Sequence, residues 1–353
     1  LKMITLKINV FSGWLLTLIF FVCSIILIGG YTRISDSGLS ITEWLPVSGI
    51  LYPFSESAWQ TEFNKYKEID EFKLINSAMT LTEFKFIYFW EWFHRAFARL
   101  IGVIYVIPLA YLLLSKKLET KYLLPILIIG FLLALQAFMG WYMVKSGLSG
   151  RVDVSQYRLA MHLSLAFIIL GLLFKTLLDY LADRKIIFVS KYIPIRSKLS
   201  FFLMILIFLQ IAYGAFVSGT HSGLLYNTWP LYNGKLFVDI DNDQIRGIIN
   251  LFENGELIIF FHRTSAFLIL LFAFYINYDA YQKSVNYGSA ILLITFDIIL
   301  ILQIILGIFM TYQNIPWHLA LAHQGNSIIL YLLVISIWFI NKKPPLNLKE
   351  ALD

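Results

Sequence analysis

Cysteine is nearly absent. The one copy in 353 residues, Cys23, lies inside an apolar run, so no intrachain disulfide can brace the polar loops, and it reads as a small apolar residue. Charge is also scarce, at 14% Asp, Glu, Lys and Arg against 59% hydrophobic residues. That balance excludes an ordinary soluble domain of this length. What the sequence has instead is apolar runs long enough to cross a hydrocarbon core, which needs roughly 20 helical residues. Eight are present, at about 10–30, 86–114, 122–144, 159–178, 201–219, 257–277, 289–311 and 319–340. The first is too long for a signal-peptide core and has no small-residue cleavage site, so it counts as a span.

Eight spans put both termini on one side. Basic residues collect on that side: Lys2 and Lys7, Lys116, Lys117 and Lys121, then Lys175, Arg184, Lys185, Lys191, Arg196 and Lys198, and finally Lys342, Lys343 and Lys349. By the positive-inside rule this face is cytoplasmic. The long loops at about 31–85 and 220–256 fall on the other face and carry Glu62, Glu68, Asp70, Glu71, Asp239, Asp241 and Asp243. Insertion topology therefore accounts for the net charge of +6, and no nucleic-acid partner is needed.

The chain reads as two copies of a four-helix unit. Spans two and six open with Phe93-His94-Arg95 and Phe261-His262-Arg263. Spans three and seven share Leu135, Gln136 and Gly140 against Leu302, Gln303 and Gly307, and span five repeats the device with Leu209, Gln210 and Gly214. Ser37-Gly38-Leu39 after the first span is echoed by Ser222-Gly223-Leu224 after the fifth. Spans four and eight each carry one early histidine, His162 and His323. Four spans per unit give both units the same orientation, so the expected fold is an all-α integral membrane protein of two four-helix bundles related by an axis along the membrane normal. The halves are taken as residues 1–190 and 191–353, with the boundary in the link near 185–200.

His94, His162, His262 and His323 thus stand at similar depth, near the start of spans that run inward from the outer face. An imidazole there faces the bundle interior. For a single histidine, a hydrogen bond between helices is a sufficient explanation. Four in repeat-related positions point to two axial pairs for haem iron, with the bundle core as an apolar slot for the macrocycle. His221 and His318 have no repeat partner.

Only one half has an acid beside its histidine. Glu91 lies three residues before His94, whereas Ile259 lies three before His262. The extra ionisable group marks where the chemistry of the halves could differ. Glu91 also precedes Arg95 by four residues, the favourable order for a helical ion pair. Arg95, Arg99 and Arg263 near the rim are candidate propionate contacts, with snorkelling towards water as the alternative. Asp297 within span seven receives no role.

Taken together, Gly29-Gly30-Tyr31-Thr32-Arg33, Ser37-Gly38-Leu39-Ser40, Thr42-Glu43-Trp44-Leu45-Pro46-Val47, Glu91 with His94-Arg95, Arg99-Leu100-Ile101-Gly102 and Asn227-Thr228-Trp229-Pro230-Leu231 resemble the haem A synthases. The likeness is to the proteobacterial and mitochondrial branch, which lacks outer-loop cysteine pairs, and it covers most of the chain. The resemblance implies a bacterial inner-membrane enzyme for haem-copper oxidase biogenesis, oxidising a ring methyl of haem O to the formyl group of haem A by successive hydroxylation. It assigns His262 and His323 to a haem b cofactor, His94 and His162 to the substrate haem, and the catalytic acid to Glu91. Its implied partners are haem O, an electron donor, membrane lipid and, as a candidate, haem O synthase. Ala98 stands where the family usually has Gly, and His221-Ser222-Gly223 where it usually has Asp-Ala-Gly. The alternative reading is a diheme b-type membrane cytochrome that carries electrons without modifying haem. Equivalent halves would suit that reading better, so Glu91 argues against it.

Overall fold

The computed structural model describes residues 9–45, 48–148, 150–184, 197–238, 247–283 and 287–342. Lys2, Lys7, Lys185, Lys191, Arg196, Lys343 and Lys349 of the orienting charges lie outside the described residues, as do Asp239, Asp241 and Asp243, the Pro46-Val47 pair and the boundary at 190. Among the described residues the chain is helical, with eight helices long and apolar enough to cross a membrane. These are α1 (Val10–Ile34), α4 (Leu81–Leu114), α5 (Thr120–Lys145), α6 (Gln156–Asp183), α7 (Ser197–Gly219), α9 (Gly255–Gln282), α10 (Tyr287–Tyr312) and α11 (Trp317–Lys342). Each expected span is present. Several run a turn or more further than hydropathy alone indicates, because polar caps carry them beyond the apolar stretch. Thr80 and Glu83 form a reciprocal capping box that starts α4 at Leu81, satisfying amide groups that a helix end otherwise leaves without partners.

Helix α1 packs against α4 and α6, and α5 packs against α6; likewise α7 packs against α9 and α11, and α10 against α11. The two groups meet where α6 touches α7, where α11 touches α1, and where α6 touches α11. Helices α6 and α11, which carry His162 and His323, therefore have neighbours on several sides. Their buried faces include Phe167, Leu170 and Leu173 on one and Val334, Ile335 and Ile337 on the other. The Phe167 and Tyr331 rings meet edge to face across this seam, 5.5 Å between centroids.

The long polar loop after α1 contains structure that its composition conceals. Two short helices, α2 (Glu56–Tyr66) and α3 (Asp70–Leu74), fold back onto the extended start of α4. Trp59, Phe63 and Tyr66 recur at helical spacing along α2 and bury against Phe84, Ile87 and Tyr88. Ser55 caps the helix by accepting from the Ala58 amide. The result is a separate apolar cap at the end of the bundle that carries the long loops, and among the described residues the second half has at the same end a smaller cluster of Tyr226, Tyr232, Val238 and Ile259. A short helix, α8 (Asn250–Glu253), leads into α9.

Inside the first cap lies a buried acid, Glu71, whose carboxylate accepts a hydrogen bond from the Tyr66 hydroxyl at 3.2 Å. Asn76 in turn donates to Tyr66 at 2.8 Å. Burial pushes the Glu71 carboxyl up to about 8, the Tyr66 hydrogen bond opposes this, and the charges of Asp36, Glu91 and Asp153 add to the rise. An unfolded glutamate ionises near ~4.3. Between those values the folded chain holds a proton that the unfolded chain releases, so stability falls as pH rises through that window. Thermal unfolding in detergent should show Glu71→Gln gaining on the wild type as pH rises from 5 to 8, and a constant difference would show that Glu71 is already ionised in the fold.

Candidate functional site

All four histidines of the sequence argument are seated in one way. The position across from each ring is a glycine on the neighbouring helix. A methyl group at Gly29 would lie 3.0 Å from His94 Cε1, at Gly140 3.1 Å from His162 Cε1, at Gly214 3.3 Å from His262 Cε1, and at Gly307 3.2 Å from His323 Cε1. A glycine at each position lets the helices approach closely, where even a methyl group would crowd the ring. The pairs join α1 to α4, α5 to α6, α7 to α9 and α10 to α11. His162 is within electrostatic reach of His94, and His323 of His262.

Three of the rings also meet a glutamine placed one turn before the glycine. The amide nitrogen of Gln136 is 3.4 Å from His162 Nε2, that of Gln210 is 3.1 Å from His262 Nδ1, and that of Gln303 is 3.1 Å from His323 Nε2. The recurring Gln and Gly are legible as a repeat, but their contact with the histidines belongs to the fold. Nδ1 of His94, of His162 and of His323 is buried without a hydrogen-bond partner. Leaving such nitrogens dry and unpaired is costly. A metal ion at the centre of a flat apolar macrocycle satisfies imidazole nitrogen and fills apolar space together, so the donor set fits haem. Among the described residues no group of three or more His, Cys, Asp or Glu side chains could hold a bare metal ion.

The three arginines are occupied by backbone. Arg95 donates to the carbonyls of Ile41 and Glu43 at 2.9 and 3.0 Å. Arg263 donates to those of Tyr226 and Thr228 at 2.6 and 3.0 Å. In each half these carbonyls lie twelve and fourteen residues beyond the glycine that seats the histidine. Arg99 donates to the Leu45 carbonyl at 3.0 Å. Each guanidinium therefore fixes a loop above the bundle, an arrangement that suits its planar fork of donors.

Glu91 is 3% exposed and its carboxylate is fully engaged. One oxygen accepts from the Ser40 hydroxyl and the Ile41 amide, both at 2.7 Å. The other accepts from Arg95 at 2.5 Å. The helical ion pair foreseen in the sequence is formed, and it ties the loop after α1 to α4 one turn from His94. The second half substitutes both partners at once, with Leu225 in the place of Ser40 and Ile259 in the place of Glu91. Ser40 stands in the sequence as part of a motif without a role of its own, and its mismatch with Leu225 after the otherwise matched Ser-Gly-Leu is the signal that points to it.

The remaining singled-out residues stand apart. His221 adopts a left-handed backbone conformation, φ 53°, as does Asp36, φ 47°, seven residues after the corresponding glycine in the other half. Its Nε2 lies 2.6 Å from Asp153 and 2.9 Å from Arg33, so it belongs to a charged cluster at the bundle end. His318 is exposed and meets Trp317 edge to face at 5.7 Å. Asp297 accepts from Asn277 at 2.6 Å across α9 and α10.

Removing one partner from a buried ion pair leaves the other charge without compensation. Glu91→Ala should cost about 3 kcal/mol of stability on that ground, and Ser40→Ala about 1 kcal/mol for a single hydrogen bond. Chemical unfolding followed by helical circular dichroism measures both, and equal small losses would show that the carboxylate is solvated.

Residues 12–335 match the family described as Cytochrome oxidase assembly protein. A Heme A synthase of Maricaulis maris is 39% identical over 329 residues, covering 92% of this chain and 94% of the relative. One of Pelagibacter ubique is 40% identical over 330 residues, with 93% and 94% covered. Another, of Bartonella tribocorum, is 37% identical over 338 residues, with 93% and 91% covered. With the match running through all eight spanning helices, the chain belongs to the cytochrome oxidase assembly protein family, in company with these heme A synthases.

Proposed function

We propose that this protein is a haem A synthase, a membrane oxidoreductase that converts the ring methyl of haem O to the formyl group of haem A by successive hydroxylation. The observation that carries the proposal is four histidines seated alike against glycines, of which His94 has the buried carboxylate of Glu91 a turn away while His262 has Ile259 at that position. Relatives of near-identical extent named Heme A synthase support the same reading. A diheme electron carrier gives no reason for that inequality.

In this reading the halves are residues 1–190 and 191–353. They share one plan, supported by the matching helix contacts and by the Arg95 and Arg263 anchors in equal register. His262 and His323 hold haem b, which supplies electron transfer when bound. His94 and His162 hold the substrate haem in the first half. The apolar faces around both pairs exclude water, and a prenylated substrate enters from the bilayer more readily than from solution. Ser40, the Ile41 amide and Arg95 fix the position of Glu91, so its carboxylate is held for proton exchange near the reacting methyl without reorganising. The basic residues of the links in the sequence support an orientation with both termini in the cytoplasm of a bacterial inner membrane and the haem sites towards the outer face. The electron donor is a separate partner, and haem O synthase is a candidate neighbour.

The experiment is haem extraction and chromatography on the purified protein, together with its optical spectrum. His262→Ala and His323→Ala should abolish the copurifying haem b. Glu91→Gln keeps the side-chain shape and should retain both haems while haem A output falls at least 100-fold, the scale expected for a positioned proton-transfer group. Normal haem A output from Glu91→Gln would remove the acid from the chemistry, and haem b retained by His262→Ala would undo the assignment of the second half.

A further inference from the structure

The four histidines are alike in their glycine seats and unlike in what else holds them. His162, His262 and His323 each have a glutamine amide against a ring nitrogen. Among the described residues no hydrogen bond reaches the His94 ring, whose Nδ1 is buried without a partner. The reason lies in α1. One turn before Gly140, Gly214 and Gly307 stand Gln136, Gln210 and Gln303, whereas one turn before Gly29 stands Ile25. Ile25 has no group able to hold an imidazole.

The glutamines are themselves anchored. Gln136 and Gln210 also donate to the backbone carbonyls of His162 and His262, at 3.1 and 2.8 Å. Gln210 accepts from Ser265 at 2.6 Å, and Gln303 accepts from Asn326 at 2.7 Å. Partners of this kind set the orientation of a ligating imidazole, and losing one lowers metal affinity by roughly 10–100-fold.

We propose that His94 is the exchangeable ligand of the substrate haem, and that Gln136, Gln210 and Gln303 are positioning residues that make the other three histidines persistent. The proposal rests on the two-site reading above. It gives the second half two fixed ligands, suited to a haem that stays. The first half has one fixed ligand, His162, and one free to turn, His94, suited to a haem that must arrive and leave in every cycle. Inequality between the halves then extends from the acid to the hold on iron.

Haem release separates the possibilities without any turnover. Protein loaded with two haems is mixed with excess apomyoglobin, and transfer is followed by absorbance. Wild type should release haem in two phases, the faster from the first half. Ile25→Gln supplies the missing amide and should slow the fast phase about tenfold. Gln136→Leu should speed that phase by a similar factor, while Gln303→Leu should speed only the slow one. A fast phase unchanged in both Ile25→Gln and Gln136→Leu, with two haems bound, overturns the proposal and leaves the two-site reading intact. Protein that binds only one haem in every preparation overturns that reading and the proposal with it. Should Ile25→Gln fail to fold, the two leucine variants decide the matter.

Discussion

The close approach of an imidazole ring to a backbone without a side chain governs much of this structure. Within a bilayer, apolar burial gives helices little reason to prefer one another over lipid, so the geometry of contact must come from packing and polar groups. Four glycines let four helix pairs approach with a ring between them, and each ring is thereby set at a fixed depth. The central positions of α6 and α11 follow from the same demand. Each supplies one histidine to a pair, and each must reach a glycine-bearing neighbour and the opposite half together.

The ends of the bundle are organised by a different force. There the loops would be loose if only apolar contacts held them, since the second half has a small cluster at its end and the first has a larger cap. Guanidinium groups substitute for bulk. Arg95 and Arg263 grip paired carbonyls at equal register, and so pin each loop to the helix that carries His94 or His262. Each loop and the helix backbone beneath it are then held together.

Much of this was legible in the sequence. Eight apolar runs gave the eight spanning helices, because length and hydropathy are the whole requirement for crossing a bilayer. The four histidines, the recurring Gln and Gly and the lone Glu91 were visible as a repeat and its exception. The helices α2 and α3 escaped notice because their loop is polar on average, although Trp59, Phe63 and Tyr66 behind the Ser55 cap carry a helical period. For Arg95, Arg99 and Arg263 the sequence gives the charge and the rim position but not the loop carbonyls to which they donate. The contact of each glutamine with its histidine was hidden for a related reason: residues 52 apart, such as Gln210 and His262, meet only when neighbouring helices align.

The paired difference between Ser40 with Glu91 and Leu225 with Ile259 has a consequence for how such a chain could diverge. A carboxylate introduced alone beside an apolar loop lacks the hydroxyl that receives it, and a leucine introduced alone beside Glu91 strips the carboxylate of a donor. Either single step passes through a strained intermediate. Two halves that began as copies would, once separated by this double change, find no easy path back to equivalence. The difference between them would then be kept by the ruggedness of the route as much as by the merit of either arrangement.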